Sequence, residues 1–327
     1  MNRYRILKIA GVMAGILLFS VVITTFLGVK RHETEDLQIV TSFYPMYVAT
    51  LNITDGIDGV SVSSLAGPQS GCLHDYQLSP DNMIALSDAD ILVLNGAQAE
   101  LFLRDVLDQL SHVTVVDTSH GVPLLESSDE HEHDHGHDHE DGDEVHEEAV
   151  NEHTWVSPVR YRQQIVTLTS ELAKADKVHA AQYQANADAY LRQIDDIIKR
   201  FQSISATLPV KDCITFHDSL LYLADDLGLT PIGSLSIGEE SGISAGELTK
   251  LEDALRASRG VLFLYDTDYG IGEYTYLQKQ APALHKTLEL DTAITAGKND
   301  KTAWVDAMNR NITSFEQAVQ SLGGVSK

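Results

Sequence analysis

Short apolar runs that alternate with helical segments restrict this chain to one class of fold. The runs "LQIVTSFYP", "VSVSSLAGP", "DILVLNG" and "VTVVDTS" have the pattern of buried strands, and segments of helical periodicity separate them. The alternation returns in the second half, where "CITFHDS", "PIGSLSI", "GVLFLYD" and "KTLELDTA" are the strand-like runs. Such a β-α-β-α order predicts a mostly parallel sheet flanked by helices. Because it occurs twice, we expect two α/β lobes.

A long helical segment separates the two halves. It begins at the cap formed by Ser157 and Pro158, runs to about Ile204, and contains no internal glycine or proline. The pattern predicts one rigid helix of about 45 residues, roughly 65–70 Å long at 1.5 Å per residue, joining the lobes. The predicted domains are an N-terminal lobe at 37–156, a linking helix at 157–204 and a C-terminal lobe at 205–327.

The first 36 residues have the pattern of a membrane segment. Three basic residues precede an uncharged apolar run of 21 residues at 9–29, close to the roughly 20 that a membrane-spanning helix needs. Small residues of a cleavage site are not evident after it. We expect residues 1–36 to form an uncleaved anchor and linker that hold the folded part at the cell surface. A cleaved secretory signal is the alternative, and in both cases the folded part is extracytoplasmic.

An acidic, histidine-rich tract interrupts the first lobe. Residues 126–152 contain thirteen acidic side chains and no basic one, which is about half of the net charge of −25. This charge excludes nucleic acid as a partner, because phosphate binding needs clustered lysine and arginine. With so few apolar residues, 126–150 is predicted to be a disordered inserted loop. Its histidines, spaced every second residue from His131 to His139, are expected to bind extra metal weakly.

Three isolated histidines occupy more informative positions. His74 and His217 each lie just beyond a predicted strand, one in each lobe, and His153 immediately precedes the cap of the long helix. Ligands of open α/β sheets bind beyond the carboxyl ends of the strands. If the lobes face each other, these side chains meet in the cleft between them, which predicts an interlobe metal site.

Several stretches in order along the chain resemble a known family. They are "VTSFYPMYVAT", "HDYQLSPDNMIALSDADILVLNGAQAE", "EHTWVSP", "TFHDSLLYLADDLGL", "GVLFLYD" and "LELDTAIT". Over about residues 37–321 the sequence is similar to the metal-binding subunits of bacterial zinc and manganese ABC importers, often called cluster A-I. The resemblance implies a monomeric extracytoplasmic protein that captures Zn²⁺ with high affinity and delivers it to a membrane permease powered by an ATPase.

The same resemblance implies the metal ligands. His74 matches the histidine of the pattern His-x-Tyr-x-x-x-Pro, and His153 matches that of His-x-Trp-x-x-Pro. His217 matches the third ligand, which is typically glutamate in manganese-selective members, and Asp291 matches a carboxylate ligand after the last strand. Independently, three imidazoles and one carboxylate form a donor set suited to tetrahedral Zn²⁺, whereas Mn²⁺ prefers more oxygen donors.

The chain departs from the family pattern around its cysteines. Cys72 lies two residues before His74, and Cys213 lies four residues before His217. The two thiols could form a disulfide near the cleft, supply a thiolate ligand, or be unrelated buried side chains. The fourth ligand is therefore the least certain, with Asp291 preferred over Asp266 and Cys72.

Other functions remain open at this stage. A manganese-binding homologue would keep the fold with a different ion, and a surface adhesin would bind partners without metal. A zinc hydrolase would need three protein ligands and an open fourth position for water. No His-Glu-x-x-His motif lies in a predicted helix, because the match at 131–135 falls in the tract predicted to be disordered. We therefore expect a binding protein rather than an enzyme.

Overall fold

The structure, a computed structural model, describes residues 36–67, 73, 76–127, 150–235, 244–268, 272–295, 297 and 300–323. The fold lies within one compact unit, residues 38–327. The predicted membrane segment at 9–29 lies outside the described residues, as do Cys72, His74 and the bulk of the acidic tract at 128–149. Among the helices that the structure does describe, none combines the length and the apolar character needed to cross a membrane.

The N-terminal lobe is an α/β layer built on four strands. The strands are β1 (Leu37–Thr41), β2 (Val60–Ser64), β3 (Ile91–Leu94) and β4 (Thr114–Asp117). Their order in the sheet is β2-β1-β3-β4, and β3 pairs in parallel with both β1 and β4. All four residues of β3 are buried, as expected for a central strand covered on both faces.

Three short helices accompany this sheet. They are α1 (Tyr44–Ile53), α2 (Pro80–Ser87) and α3 (Arg104–Leu107), which continues a 3₁₀ turn at Leu101–Leu103. The start of α2 is the predicted serine–proline cap, because the Ser79 side chain accepts a hydrogen bond from the backbone N–H of Asn82. Apolar residues of the sheet and helices form one core, including Val40, Leu86 and Leu92.

The predicted single linking helix is wrong, because the segment folds as two helices. They are α4 (Pro158–Ala175) and α5 (Ala180–Thr207). Asp176 follows the last residue of α4, and its carboxylate accepts hydrogen bonds from the backbone N–H groups of Val178 and His179 in the turn before α5. The two helices then pack against each other. Tyr183 of α5 bonds to Asp176 beside the turn, and farther from the turn Arg162 pairs with Asp195, so the helices run antiparallel.

The C-terminal lobe repeats the architecture of the first. Its strands are β5 (Asp212–Thr215), β6 (Thr230–Ser234), β7 (Gly260–Asp266) and β8 (Leu284–Leu290), and its helices are α6 (Leu221–Asp226), α7 (Ala245–Ala257) and α8 (Ala303–Gly323), with a 3₁₀ helix at Gly272–Lys279. The sheet order is β6-β5-β7-β8 with parallel pairing throughout. Both lobes therefore share one strand order, a repeat that the sequence does not reveal.

The helix α5 links the two lobes. The sequence predicted this role for a single longer helix. Its 28 residues span about 42 Å. Near its start, the Asn186 side chain donates to the carbonyl oxygens of Ile53 and Asp55 in the N-terminal lobe. Near its end, Arg200 pairs with Glu316 of α8 at 3.1 Å. One continuous helix is thus attached to both lobes.

The turn between α4 and α5 generates a stability prediction. Burial by itself raises the pKa of Asp176, but hydrogen bonds from His179 and Tyr183 outweigh it and lower the pKa below 3.8. A lowered carboxylate pKa stabilises the fold above pH 3.8, and this contribution is lost as the pH falls through the folded-state value. We expect Asp176→Ala to reduce the free energy of unfolding by about 1 kcal/mol at pH 7 and by less near pH 3.

Urea unfolding at both pH values measures this change. Asp196→Ala is the matched control, because this aspartate of α5 is 76% exposed and forms an i,i+3 ion pair with exposed Lys199; its effect should stay within about 0.5 kcal/mol. An Asp176→Ala protein as stable as wild type at pH 7 would contradict the capping role.

Candidate metal centre

His217 is positioned by the carboxyl end of β5. The strand ends at Thr215, and the backbone N–H of Phe216 still donates to Leu264 of the neighbouring strand. His217 itself is extended and caps the 3₁₀ turn Asp218–Leu220, where its Nδ1 accepts from the backbone N–H of Ser219 at 3.2 Å. The ring is therefore fixed at the edge of the sheet where parallel strands bind ligands.

His153 is positioned by a short buried segment that follows the acidic tract. The tract is closed at its base by an antiparallel bridge between Glu126 and Val150. After it, the backbone N–H of Asn151 donates to Leu125, and His153 precedes a 3₁₀ turn at Thr154–Val156. His153 is only 1% exposed, so its imidazole is removed from bulk water.

The structure brings these two predicted histidines together. The ring centroids of His153 and His217 lie 5.2 Å apart with the rings at 85°. Two imidazoles that share one tetrahedral Zn²⁺, with Zn–N distances of about 2.0–2.1 Å, place their centroids roughly 5 Å apart. The spacing therefore fits one ion held by both rings.

Two acidic side chains adjoin the histidine pair. Asp218 Oδ1 lies 3.4 Å from Nδ1 of each ring, and His153, His217 and Asp218 have potential ligand atoms within 4.8 Å of one another. Glu152 Oε1 lies 3.8 Å from Nε2 of His153. All three members of the group are buried, and the adjacent carboxylates favour a cation at this position.

Asp291, the predicted carboxylate ligand, is not a member of that group in the described structure. Its carboxylate accepts hydrogen bonds from Arg310, at 2.5 Å and 3.1 Å, and from the backbone N–H of Ala293 at 2.8 Å. Asp266, the second choice, is buried at the end of β7, where its carboxylate accepts from Thr292. Burial chiefly, together with nearby Asp268 and Asp291, raises the pKa of Asp266 to about 7.

One of the two cysteines lies within the described residues. Cys213 has a free thiol that is buried within β5, whereas Cys72 lies outside the described residues. Burial, aided by the negative charge of Asp212, raises the pKa of the Cys213 thiol to about 12. This side chain is therefore a neutral thiol at physiological pH, which disfavours it as a thiolate ligand.

Asn95 supports the backbone on both sides of His153. Its Nδ2 donates to the carbonyl oxygen of Glu152 at 2.9 Å, and its Oδ1 accepts from the Thr154 hydroxyl at 3.1 Å. Asn95 is in turn held by Glu100, which accepts from its backbone N–H at 2.7 Å and from Ser42 at 2.7 Å. Burial raises the pKa of Glu100 to about 7, and these hydrogen bonds offset part of the rise. The residues after β1 and β3 thus form the base of the site.

Tyr222 of α6 connects the base of the acidic tract to the C-terminal lobe. Its hydroxyl donates to the carbonyl oxygen of Asn151 at 2.6 Å and accepts from the backbone N–H of Leu125 at 3.0 Å. Arg160 lies over the Tyr222 ring, with its guanidinium carbon 4.6 Å from the ring centroid. The same arginine pairs with Asp226 at 3.3 Å. The two segments at the base of the tract are therefore fixed beside the histidine pair.

Sequence reasoning missed Asn151, Asp218 and Tyr222. Asp218 directly follows His217 in "TFHDS", so its proximity to the site was available from its position. Asn151 adjoins a segment predicted to be disordered, and this interpretation hid its structural role. Tyr222 lies five residues after His217, and only the fold shows that its hydroxyl reaches the other lobe.

Two α/β lobes, each built on a parallel sheet, with buried imidazoles between them define a two-lobed metal-binding protein. The chain belongs to the family described as the periplasmic component A of the zinc-uptake complex, whose model matches residues 39–318. A relative from Bacillus subtilis, called high-affinity zinc uptake system protein ZnuA, is 27% identical over 297 residues, which are 89% of this chain and 90% of the relative.

Solved structures share the fold. The solute-binding protein FpvC of Pseudomonas aeruginosa, solved with Mn²⁺, superimposes with a TM-score of 0.69 at 22% identity over 88% of this chain and 99% of that one. Zn(II)-bound AdcA from Streptococcus pneumoniae gives 0.67 at 22% identity over 87% of this chain and 58% of that longer protein. The predicted fold of two α/β lobes with parallel sheets is therefore confirmed.

The hydrogen bonds of Tyr222 lead to a second stability prediction. Tyr222→Phe keeps the ring but removes the hydroxyl between Leu125 and Asn151, leaving one carbonyl oxygen and one N–H without their partner. We expect the free energy of unfolding to fall by about 1–3 kcal/mol, the range for buried polar groups left unsatisfied. Chemical denaturation measures it. Tyr265→Phe is the control, because the hydroxyl of this half-buried residue of β7 bonds to the exposed side chain of Glu289. Equal stability of Tyr222→Phe and wild type would show that the hydrogen bonds of the Tyr222 hydroxyl contribute nothing to the free energy of unfolding.

Proposed function

We propose that this protein is the extracytoplasmic component of a zinc importer, which captures Zn²⁺ and delivers it to an ABC permease driven by an ATPase. The pair of buried imidazoles of His153 and His217, at a spacing that fits one tetrahedral ion, is the observation that carries the proposal. Membership of the zinc-uptake family and the name of the Bacillus subtilis relative support the same ion and the same process.

The proposed ligands of the transported ion are His74, His153, His217 and Asp291. His74 follows Leu73, a buried residue of the N-terminal lobe, and would bring the third imidazole. Asp291 follows β8 at the same edge of the C-terminal sheet as His217. Its carboxylate has about four acceptor positions, so the bonds from Arg310 and Ala293 leave capacity for a cation.

The donor set favours zinc over manganese. Imidazole nitrogen suits Zn²⁺, whereas Mn²⁺ prefers carboxylate, carbonyl and water oxygen, and a given site binds manganese most weakly among the first-row divalent ions from manganese to zinc. The likeness of this chain to Mn²⁺-bound FpvC concerns the fold. Three imidazoles and one carboxylate around the ion would therefore select Zn²⁺.

The location that we propose is outside the cytoplasmic membrane. The family description places its members in the periplasm, and the apolar run at 9–29 would either anchor the chain or direct its secretion. An uncleaved anchor would hold the loaded protein, as a monomer, close to the permease. The protein would then diffuse only in two dimensions between capture and delivery.

The acidic tract would be an accessory to this site. Its two ends are fixed by the bridge between Glu126 and Val150 and by Tyr222, a few residues from His153. Alternating histidines and carboxylates would bind several metal ions weakly. Such a segment could raise the local concentration of zinc without being the site from which the ion is transported.

Competition titration with a zinc chelator tests the proposal on the full chain. We expect wild type to bind one Zn²⁺ tightly and His217→Ala to weaken that affinity at least about a hundredfold, or roughly 2.8 kcal/mol. Replacing residues 128–148 with a short glycine–serine linker should remove weak additional sites and keep the tight one. His285→Ala, an exposed histidine of β8 bonded to the carbonyl oxygen of Pro282, is the matched control.

The opposite pattern would refute the proposal. If the linker replacement abolished tight zinc binding while His217→Ala retained it, the tract rather than the buried pair would be the binding site. If both variants bound zinc like wild type, neither segment would hold the ion.

A further inference from the structure

Asn151 makes an unusually complete set of hydrogen bonds beside the histidine pair. Its side chain is fully buried. Its Nδ2 donates to the carbonyl oxygen of Asp218 at 2.9 Å, and its Oδ1 accepts from the backbone N–H of His153 at 3.0 Å. The same oxygen lies 3.0 Å from Nδ1 of the His153 ring. One amide therefore contacts both segments that carry the predicted ligands.

These partners fix the orientation of the amide. A carbonyl oxygen can only accept a hydrogen bond, so the group that faces the carbonyl of Asp218 must be the NH₂ of Asn151. A backbone N–H can only donate, so the group that faces His153 must be the amide oxygen. Two independent contacts give the same assignment, and reversing the amide would break both.

The orientation of the amide determines the tautomer of His153. Because Oδ1 of Asn151 has no proton to donate, the short contact to Nδ1 requires the proton on Nδ1. In the neutral ring, Nε2 is then the unprotonated nitrogen and the one able to bind a metal ion. Outer partners of this kind commonly fix the tautomer of metal-binding histidines.

We propose that Asn151 is a positioning residue that holds His153 in the Nδ1–H tautomer and presents Nε2 to the metal ion. Asp218 faces the same ring nitrogen as Asn151, because its Oδ1 lies 3.4 Å from Nδ1 of His153. It supports the Nδ1 proton and is not a ligand of the ion. This inference rests on the proposed function in one respect only, the identity of the ion.

His217 differs from His153 in this respect. Its Nδ1 lies 2.8 Å from the hydroxyl oxygen of Ser219 and accepts from the backbone N–H of the same serine. A backbone N–H can only donate, so Nδ1 of His217 is unprotonated and the neutral ring carries its proton on Nε2. The Nδ1–H ring is His153, and the bond from Asn151 to the backbone of Asp218 sets its position relative to His217.

Ring nitrogen NMR of histidine-labelled full chain, free of metal and above the pH range of histidine titration, reads the tautomer directly. The His153 signal is identified by its loss in His153→Gln. We expect wild type to show the Nδ1–H form. Asn151→Ala should move a large part of the population to Nε2–H and weaken zinc affinity by about 10–100-fold.

Two further variants separate positioning from general packing. Asn151→Asp keeps an oxygen acceptor for Nδ1–H, so it should retain the Nδ1–H form and bind zinc within about threefold of wild type, although it loses the bond to Asp218. Ser219→Ala should leave the tautomer of His153 unchanged. If Asn151→Ala fails to fold, the tautomer of His153 measured in wild type and in Asn151→Asp still tests the proposal.

Three results would overturn the assignment. These are an Nε2–H form of His153 in wild type, a shift to Nε2–H in Asn151→Asp, or a folded Asn151→Ala protein with the wild-type tautomer and affinity. The tautomer is measured without zinc, which separates this inference from the proposed function. Wild type with the Nδ1–H form but without tight zinc binding would refute the function and support the assignment.

Discussion

The buried indole of Trp155 joins the two lobes directly beside the histidine pair. Its Nε1 donates to the carbonyl oxygen of Thr292 in the C-terminal lobe at 2.9 Å, and its ring packs edge-on against Phe43 of the N-terminal lobe at 4.8 Å. Its own carbonyl oxygen accepts from the indole of Trp304 at 2.9 Å. Because His153 lies two residues earlier, this contact fixes a ligand-bearing segment between the lobes.

The polar groups around this segment are arranged so that burial does not leave them unsatisfied. Asn95 bonds to the residues on either side of His153, and Asn151 bonds to His153 itself and to the backbone after His217. Each amide thereby spans two parts of the chain, and neither lobe alone could orient the pair. A site built in this way holds its ligands in place before the ion arrives, which lowers the entropic cost of binding. The helix α5, attached to both lobes, limits their relative motion.

Most of the fold could be predicted from the sequence, because periodicity and turn residues mark each strand and helix locally. The predicted runs "LQIVTSFYP", "DILVLNG" and "CITFHDS" contain observed strands, which end at Thr41, Leu94 and Thr215. The failure was the long helix, where the chain turns after Asp176 without the glycine or proline that usually marks such a break. Helix propensity is a weak signal, and tertiary packing of α4 on α5 outweighs the absence of a breaker.

The candidate site was predictable to a lesser degree. His153 and His217 could be chosen from their position after strands and before a cap, but the partners that orient them come from distant parts of the sequence. Asn95 and Asn151 are ordinary polar residues in the sequence, and their roles depend on hydrogen bonds across 57 and 67 residues. The pairing of Asp291 with Arg310 likewise depends on the packing of α8 against β8.

Zinc-edge anomalous diffraction from crystals of the protein loaded with one equivalent of Zn²⁺ tests the central claim most directly. The account predicts a single strong peak about 2.0–2.1 Å from Nε2 of His153 and from an imidazole nitrogen of His217, with His74 and Asp291 completing the coordination. A peak held only by the histidines at 131–146, with His153 and His217 remote from the ion, would contradict it.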